Sequence, residues 1–229
     1  MKHLLSDGGQ LIYLQGIDGS YVREIDVKVL GFEGGGYVLD RTIMHYQGGG
    51  QPGDRGLLIS GDIKIPIHNV KKKGKNVIHL SSEEVDIKEG KLIVDWERRY
   101  KIMKMHTLQH AISAVIFKDG YKSLVTEVFP GYGYIESDST EIVLADEAFN
   151  ISKIPRSLKR YFVKRNELDP KLMARCNLER LPKSIDEVSV VEIEGLDVCA
   201  CAGTHVKNTE EIGDYWIRAP GKKVEFGLF

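Results

Sequence analysis

A segment without glycine or proline, Trp96–Lys118, divides this chain into two parts of different character. Within it Met105, Leu108 and Ile112 recur at the spacing of one helical face. An Asp-Gly pair ending at Gly120 then supplies a stop signal, so the pattern predicts one helix over the whole segment. Because strand-like segments stand on either side of this helix, the chain is predicted to be a mixed α+β protein.

The residues before the helix predict short strands. Apolar runs at 12–14, 27–30 and 37–39 alternate with glycine-rich breaks. Residues 63–67 alternate apolar and polar side chains and include one proline, which is typical of an edge strand. The lysine-rich run 71–75 then predicts a hairpin tip. Several short strands at this spacing favour a small barrel or sandwich.

The residues after the helix predict both strands and a second helix. Residues 123–129 and 187–199 are predicted strands, residues 132–146 are predicted strands divided at 137–139, and residues 212–229 are predicted closing strands with a turn at Pro220-Gly221. The second helix is predicted over 154–166, with apolar residues on one side and basic residues, Arg160 among them, facing away.

Together these patterns predict two domains. A small β-barrel-like domain occupies residues 1–92, and an α+β domain with an antiparallel sheet and helices occupies residues 93–229.

Composition narrows the class of protein. The 229 residues include 32 Lys and Arg against 33 Asp and Glu, so the net charge of −1 argues against a general polyanion binder, although segregated charge stays open. No apolar run reaches the roughly 18 residues of a membrane span, and the N-terminal apolar stretch is too short for a secretory signal. Three cysteines are too few for a disulfide framework. We therefore expect a cytoplasmic protein with no membrane partner.

Four residues carry the strongest chemical signal. His106 and His110 lie four positions apart inside the predicted helix, so both imidazoles can point at one ion. Cys201 and His205 are separated by a turn that Gly203 makes possible. Three imidazoles and one thiolate form a ligand set suited to Zn²⁺.

The same set also fits a structural zinc site, because four protein ligands close a tetrahedron, and the sequence leaves this alternative open. Cys199 lies two positions before Cys201 on a predicted strand and should face the opposite side as a buried core thiol. No functional role is predicted for Cys176 from the sequence.

A glycine-rich stretch, residues 40–56, is the third feature. Gly48, Gly49 and Gly50 permit a close backbone approach, and their N–H groups can cradle a phosphate or a terminal ribose. The alternative is a flexible hairpin loop. The stretch fits neither a dinucleotide fingerprint nor a P-loop, so no nucleotide cofactor is predicted.

These motifs occur together in a known family. In order along the chain stand Asp40-Arg41-Thr42, Gly48-Gly49-Gly50-Gln51-Pro52, Asp54, Gly56, His106 with His110, Cys201 with Gly203-Thr204-His205-Val206, and Thr209 with Glu211-Ile212-Gly213. From about Tyr21 to Gly213, the chain resembles the AlaX family of free-standing alanyl-tRNA editing proteins, in its medium form. These are relatives of the editing domain of alanyl-tRNA synthetase. The two metal motifs alone also occur in the editing domain of bacterial-type threonyl-tRNA synthetase, and the glycine-rich β domain favours the alanyl type. Ala202 departs from the glycine that is commoner in this motif.

The resemblance implies a trans-editing hydrolase that removes serine, and in some members glycine, from mischarged tRNA(Ala). His106, His110, Cys201 and His205 are implied as ligands of one Zn²⁺ per chain. Thr42 is implied to hydrogen-bond the serine hydroxyl, although it also fits an ordinary β-branched strand residue.

Further contacts follow from the same resemblance. Gln51 is implied to contact the ribose or the water, and Gly48, Gly49 and Gly50 to admit the terminal adenosine. Separately from the resemblance, the basic runs are candidate phosphate contacts: Arg98, Arg99, Lys101 and Lys104, the lysine hairpin, and the basic segment 153–165. Each run taken singly also fits a solvated face, and among them we favour the hairpin and the basic segment.

Two other functions stay open at this point. One is a zinc-dependent esterase or amidase that acts on small molecules. The other is a zinc-stabilised module that binds tRNA without turnover.

Overall fold

The structure, a computed structural model, describes residues 5–6, 9–170, 175–176 and 185–229. Internal contacts divide the chain into two compact units, an N-terminal unit, Met1–Tyr100, and a C-terminal unit, Lys101–Phe229. The predicted domain boundary between residues 92 and 93 stays a prediction. Strands and one long helix among the described residues make this a mixed α+β protein with mostly antiparallel pairing, as the sequence predicts.

The N-terminal unit is built from short strands and two turns of 3-10 helix, Ile12–Leu14 and Asp18–Tyr21. Its strands are β1 (Leu5–Ser6), β2 (Gly9–Leu11), β3 (Glu24–Glu33), β4 (Gly36–Leu39), β5 (Arg41–Thr42), β6 (Gly56–Ser60), β7 (Ile63–Ile67), β8 (Asn69–Lys73), β9 (Asn76–Leu80) and β10 (Glu89–Val94).

Seven of these strands form one antiparallel sheet in the order β7-β6-β10-β3-β4-β9-β8. Because Pro66 has no N–H to donate, β7 lies at an edge, and the predicted edge strand is confirmed. The predicted lysine hairpin is also confirmed, since β8 and β9 pair across a turn at Gly74. The pairing does not close between β7 and β8 in the described part of the chain, so the barrel-like interpretation stays a prediction.

A second, three-stranded sheet in the order β1-β2-β5 brings Thr42 beside Leu11 in parallel pairing. The core of the N-terminal unit lies against these sheets and is dominated by aliphatic side chains and tyrosines. Its most deeply buried members include Tyr13, Tyr37, Leu58, Ile65 and Leu92.

The long helix α1 covers Trp96–Lys118, the predicted segment, and Gly120 follows it at a φ of 91°. From Ile102 to Ile116 the side chains are buried except that of Lys104, which is half-buried, so α1 is buried nearly all round rather than on one stripe. No helix in the described ranges is long and apolar enough to cross a membrane.

The C-terminal unit contains seven further strands in its described residues, arranged in two antiparallel sheets. The four-stranded sheet has the order β11-β12-β17-β16, and the three-stranded sheet has the order β13-β14-β15. Their bounds are β11 (Ser123–Phe129), β12 (Tyr132–Ser137), β13 (Leu158–Lys164), β14 (Glu187–Ile193), β15 (Asp197–Ala200), β16 (Tyr215–Arg218) and β17 (Lys223–Leu228).

The predicted second helix is wrong, because β13 occupies its centre and pairs with β14 along all seven residues. Leu158 and Phe162 are four positions apart, which fits a helical face and also one face of a strand. The aromatic and β-branched run 161–163 favours a strand, and pairing with the apolar strand β14 decides between the two. On this strand Arg160 is buried rather than facing solvent.

Two segments predicted as strands contain less strand than expected. In the segment predicted over 132–146, β12 ends at Ser137, where a break is predicted, but residues 140–146 do not form the second strand, and 3-10 turns at Asp146–Phe149 and Ile151–Lys153 follow. The strand predicted over 187–199 is divided into β14 and β15 by a turn in which Gly195 has a φ of 65°. The closing strands β16 and β17 are confirmed.

The cysteines differ from expectation. Cys176 and Cys199 form a disulfide, so Cys199 is a half-buried, paired residue and not a buried free thiol. Cys201 is free. The expected reason for the separation of Cys199 and Cys201 is also wrong, because residues two positions apart on a strand share one face; β15 ends at Ala200, and Cys201 lies in the turn after it, where it faces histidines while Cys199 bonds to Cys176.

Candidate metal centre

Two ligands of the centre come from α1. His106 and His110 are one helical turn apart, and their ring centroids lie 5.1 Å from each other. They are 3% and 5% exposed, so both imidazoles face the interior. Because residues four positions apart on an α-helix lie on the same face, one turn apart, the sequence spacing sets the distance between these two candidate ligands.

The other two ligands lie just after β15, where the chain turns back toward α1. The turn brings the Sγ of Cys201 to 3.3 Å from the Nε2 of His205, and the N–H of Gly203 points at the same sulfur over 3.3 Å. His205 is fully buried, whereas Cys201 is half-buried. The predicted turn is therefore present, and it folds both donor atoms toward one point.

The four donor atoms converge. They all lie within 4.8 Å of one another, and the Sγ of Cys201 is 3.7 Å from the Nε2 of His106. Bonds of about 2.0–2.3 Å from a tetrahedral ion would place neighbouring donors roughly 3.4–3.6 Å apart. The four residues could therefore hold one metal ion, and one thiolate with three imidazoles is a donor set suited to zinc.

The protonation of the cluster is strongly perturbed. Burial raises the pKa of the Cys201 thiol, but the three nearby imidazoles outweigh burial and bring that pKa well below its usual value. Burial lowers the pKa of His106, and burial with the neighbouring His106 charge lowers that of His205. A metal ion requires a thiolate and neutral imidazoles, and the pKa shifts of Cys201, His106 and His205 are in that direction.

His110 behaves differently because of a carboxylate that the sequence analysis missed. Its Nδ1 lies 3.0 Å from the Oδ2 of Asp197, on β15. Burial lowers the pKa of His110, but the charge of Cys201 and the hydrogen bond to Asp197 outweigh it and raise that pKa to about 9. Arg175 donates to the same carboxylate oxygen from the other side. The Nδ1 hydrogen of His110 is directed at Asp197, so a metal ion would bind Nε2 by displacing the proton that the raised pKa keeps there.

The second ring nitrogen of His205 also has a hydrogen-bond partner. Its Nδ1 lies 3.2 Å from the Oγ1 of Thr107, a buried residue next to His106 on α1. The same oxygen accepts a hydrogen bond from the N–H of Val206. Thr107 therefore fixes the ring of a ligand that comes from a distant part of the chain.

Arg160 secures the turn that carries Cys201. From β13 its Nη1 donates to the carbonyl of Cys201 over 3.3 Å and to the Oγ of Ser189 over 2.9 Å, and its Nη2 donates to the carbonyl of Gly203. Only 8% of Arg160 is exposed. The residue predicted to lie on a solvated basic face instead fixes the backbone of the metal-binding turn.

The distal part of the family motif has a structural role in this geometry. Asn208 and Glu211 form a capping box at the 3-10 turn Thr209–Ile212. The Oγ1 of Thr209 donates to the carbonyl of Ile154 and accepts from the N–H of Arg156. These bonds tie the segment after His205 to the start of the strand that carries Arg160.

The glycine loop of the N-terminal unit is a tight turn. Gly48 and Gln51 exchange backbone hydrogen bonds of 3.0 and 3.1 Å, and Gly49 and Gly50 between them have φ values of 61° and 81°. Both positive φ values match the inner positions of a type I′ turn. The N–H groups of Gly48 and Gln51 are thus used inside the turn, so only those of Gly49 and Gly50 are available for the predicted phosphate or ribose contact.

A buried ion pair anchors the end of this loop. Asp54 is 1% exposed and accepts from the Nε of Arg99, at 3.0 Å, and from the backbone N–H of His45. Arg99 is fully buried and also donates to the carbonyls of Ser20 and Ile43. The predicted phosphate contact of Arg99 does not fit this burial, because the guanidinium holds the fold of the N-terminal unit instead.

The remaining predicted site residues also belong to the N-terminal unit. Thr42 is 2% exposed and lies 2.7 Å from the Nε2 of His79, and Gln51 is 2% exposed. Arg98 is half-buried and donates to the carbonyl of Gly53. The structure therefore brings the four predicted metal ligands together, while the roles of Thr42, Gln51 and Arg98 stay predictions.

Comparisons with known proteins agree with this geometry. Residues 188–223, which include Cys201 and His205, match the family model described as the threonyl and alanyl tRNA synthetase second additional domain. The chain is 32% identical over 210 residues to the alanyl-tRNA editing protein AlaX-M of Saccharolobus solfataricus, covering 85% of this chain and 87% of the relative. It is 36% identical over 192 residues to AlaX-M of Methanosarcina barkeri, covering 76% and 79%. The chain belongs to the AlaX family of alanyl-tRNA editing proteins.

Longer relatives are matched only in part. The chain is 36% identical over 210 residues to AlaX-L of Pyrococcus horikoshii, and spans 50% of that protein's length. It is 30% identical over 221 residues to the alanine–tRNA ligase of Ignicoccus hospitalis, and spans 24% of its length. The predicted resemblance to the AlaX family is confirmed, and the relatives that this chain covers over most of their length are of the AlaX-M kind.

Proposed function

We propose that this protein is an aminoacyl-tRNA hydrolase that edits mischarged tRNA(Ala), with seryl-tRNA(Ala) as the main substrate and glycyl-tRNA(Ala) as a second one. The observation that carries the proposal is the convergence of His106, His110, Cys201 and His205 on one point, in a chain of the AlaX family. The reaction breaks the bond between the aminoacyl carbonyl carbon and the ribose oxygen. The hydroxyl of water is added to that carbon, and a proton to the ribose oxygen, without ATP.

We propose that the four ligands hold one Zn²⁺. Bound there, zinc would supply a Lewis acid that orients water or the aminoacyl group. The protein supports it through Asp197 and Thr107, which orient two of the imidazoles, and through Arg160, which fixes the carbonyls of the Cys201 turn. An aminoacyl ester is already activated, so holding it in register with water accounts for much of the acceleration required.

Substrate recognition is assigned to the N-terminal unit. Thr42 recognises the serine hydroxyl, Gln51 contacts the ribose or the water, and the turn at Gly49 and Gly50 receives the terminal adenosine. A buried polar group that pairs with a substrate hydroxyl rejects an analogue lacking it, because its own hydrogen-bonding capacity is then unmet. Correctly charged alanyl-tRNA(Ala) would be spared for this reason.

We assign contacts with the phosphates of the tRNA backbone to exposed basic residues. The hairpin lysines at 71–73 and 75 are exposed, as are Lys159 and Lys164 on β13. Arg98 is retained as a further candidate, whereas the buried Arg99 is not. Contacts with several phosphates would make binding weaken steeply with added salt. A protein acting on aminoacyl-tRNA would work in the cytoplasm, which is the localisation we propose.

The test is direct. Seryl-, glycyl- and alanyl-tRNA(Ala) are incubated with the protein, with and without a chelator, and release of the amino acid is followed. Editing predicts rapid release of serine that the chelator abolishes and zinc restores. A small-molecule esterase would instead hydrolyse simple esters equally well, and a binding module would retain the charged tRNA without releasing its amino acid.

Two variants complete the test. His106→Ala is expected to lose zinc and activity together, because three ligands hold the ion much less tightly. His68→Ala removes an exposed histidine of the N-terminal unit and should change neither quantity. Stoichiometric zinc retained in the His106→Ala protein would contradict the ligand assignment.

A further inference from the structure

The hydroxyl of Thr42 has a defined set of partners. It lies 2.7 Å from the Nε2 of His79, and it accepts a hydrogen bond of 2.9 Å from the N–H of Met44. All three residues are buried. A threonine hydroxyl offers one hydrogen and two lone pairs, so its remaining capacity depends on which way the bond with His79 runs.

The backbone settles the direction of that bond. On β9, His79 lies opposite Tyr37 of β4, and its Nδ1 is 3.1 Å from the carbonyl oxygen of Tyr37. A carbonyl only accepts, so the Nδ1 of His79 carries the hydrogen. Burial lowers the pKa of His79 to about 4, which leaves the ring neutral at working pH. A neutral ring protonated at Nδ1 has a bare Nε2, and the Thr42 hydroxyl must donate to it.

We propose that His79 is a specificity-determining positioning residue that turns Thr42 into a pure acceptor toward the substrate. With its hydrogen given to His79 and one lone pair given to Met44, Thr42 has one lone pair left. A ligand that donates an O–H group there completes the hydrogen bonding of Thr42. A ligand with a methyl group or a hydrogen atom at that place leaves the lone pair buried and unpaired, which costs free energy.

This inference rests on the proposed role of Thr42 and makes it sharper. It favours a seryl group over both glycyl and alanyl groups by the same mechanism, since neither of the last two carries a hydrogen-bond donor on its side chain. It also assigns a function to a buried histidine that takes no part in the metal cluster and that the sequence analysis did not single out.

The experiment measures the ratio of kcat/KM for seryl-tRNA(Ala) to that for glycyl-tRNA(Ala) in the zinc-loaded, full-length protein. In His79→Leu the Thr42 hydrogen loses its acceptor, and the ratio should fall about three- to tenfold. In His79→Gln the side-chain amide oxygen can replace Nε2 as an acceptor, and the ratio should return to within about twofold of the parent value. If His79→Leu does not fold, His79→Asn replaces it, because the shorter amide reaches the position of Nδ1 but not that of Nε2.

A double-mutant cycle separates a positioning role from a general structural one. Thr42→Val removes the hydroxyl, so adding His79→Leu to it should lower the ratio no further. His68→Leu, at an exposed histidine of the same unit, serves as the matched control and should leave the ratio unchanged.

The outcomes distinguish failure of the proposed role of Thr42 from failure of the proposed role of His79. If Thr42→Val leaves the ratio at the parent value, the proposed role of Thr42 fails, and the role of His79 fails with it. If Thr42→Val lowers the ratio but His79→Leu does not, only the inference about His79 is overturned. Equal loss of both rates in His79→Leu, with the ratio preserved, likewise overturns it, since that is the result of a purely structural histidine.

Discussion

The carboxylate of Asp197 should control metal affinity although it does not touch the ion. Its Oδ2 faces the Nδ1 of His110 at 3.0 Å, its side chain is 1% exposed, and Arg175 holds the same oxygen. In Asp197→Asn the volume is kept but the charge is lost. The amide can also present N–H to His110, which would favour the tautomer with hydrogen on Nε2, the wrong atom for binding a metal.

The expected loss of zinc affinity follows from the hydrogen bond to His110 that the substitution weakens. One charge-assisted hydrogen bond to a ligand histidine is replaced by a neutral or mismatched one, and such outer partners typically contribute about 10–100-fold in metal affinity. This corresponds to about 1.4–2.7 kcal/mol. Removal of Arg175, as Arg175→Met, should have a smaller effect in the same direction, because it leaves the bond between Asp197 and His110 in place.

The assay is zinc competition against a chromophoric chelator, followed by equilibrium titration of the parent and the variants. Glu194→Gln is the matched control, since this exposed carboxylate accepts from the Oγ of Ser157 at 2.7 Å and contacts no ligand histidine. A zinc dissociation constant for Asp197→Asn within twofold of both parent and control would refute the reasoning, provided that the variant remains folded by circular dichroism.

Three further predictions concern the N-terminal unit and are measured by urea unfolding of the zinc-loaded protein. Asp54→Asn leaves the buried guanidinium of Arg99 without its counter-ion and should cost about 3–5 kcal/mol, whereas Asp26→Asn at an exposed position should change stability by less than about 0.5 kcal/mol. Gly49→Ala forces an L residue into a φ of 61° and should cost about 1–2 kcal/mol, and an equal cost for Gly31→Ala, where φ is not positive, would contradict this explanation. Because burial lowers the pKa of His79 to about 4, the unfolded chain binds a proton there below its ordinary pKa of 6.5 while the folded protein does not. Stability should therefore fall as the pH drops from 6.5 to 4 by up to about 3 kcal/mol, and the same slope in His79→Gln would assign it to another group.

The metal ligands could be predicted from the sequence because their geometry is local. A four-residue spacing on a helix, and a cysteine and a histidine on either side of a glycine turn, each fix two donor atoms without reference to the rest of the fold. The helix itself is equally local, since its periodicity, length and stop signal lie in one segment. The edge position of β7 follows from one residue, Pro66, which lacks the N–H that an inner strand needs.

The residues that support the ligands could not be predicted in this way. Asp197 is separated from His110 by 87 positions and Arg160 from Gly203 by 43, so no spacing rule connects them. The sequence also predicts a helix around Arg160, because the apolar residues at 158 and 162 fit both periodicities. Only the pairing of β13 with β14 shows that the guanidinium points inward, at the turn that carries Cys201.

The same hydrogen-bond arrangement occurs at His79 and His110, although His79 faces a hydroxyl group and His110 is a candidate metal ligand. In each case a fixed acceptor takes the hydrogen of Nδ1, the carbonyl of Tyr37 for His79 and the carboxylate of Asp197 for His110. Once that hydrogen is committed, Nε2 of the neutral His79 ring can only act as an electron-pair donor, whereas a metal ion would have to displace a second proton from His110, whose pKa is raised to about 9. The partners then decide the chemistry, because Nε2 of His79 meets the hydroxyl of Thr42, whereas a ring nitrogen of His110 lies within 4.8 Å of the donor atoms of the other three candidate ligands. An account of this family based on ligand motifs alone therefore omits the acceptors that determine what each buried imidazole can do.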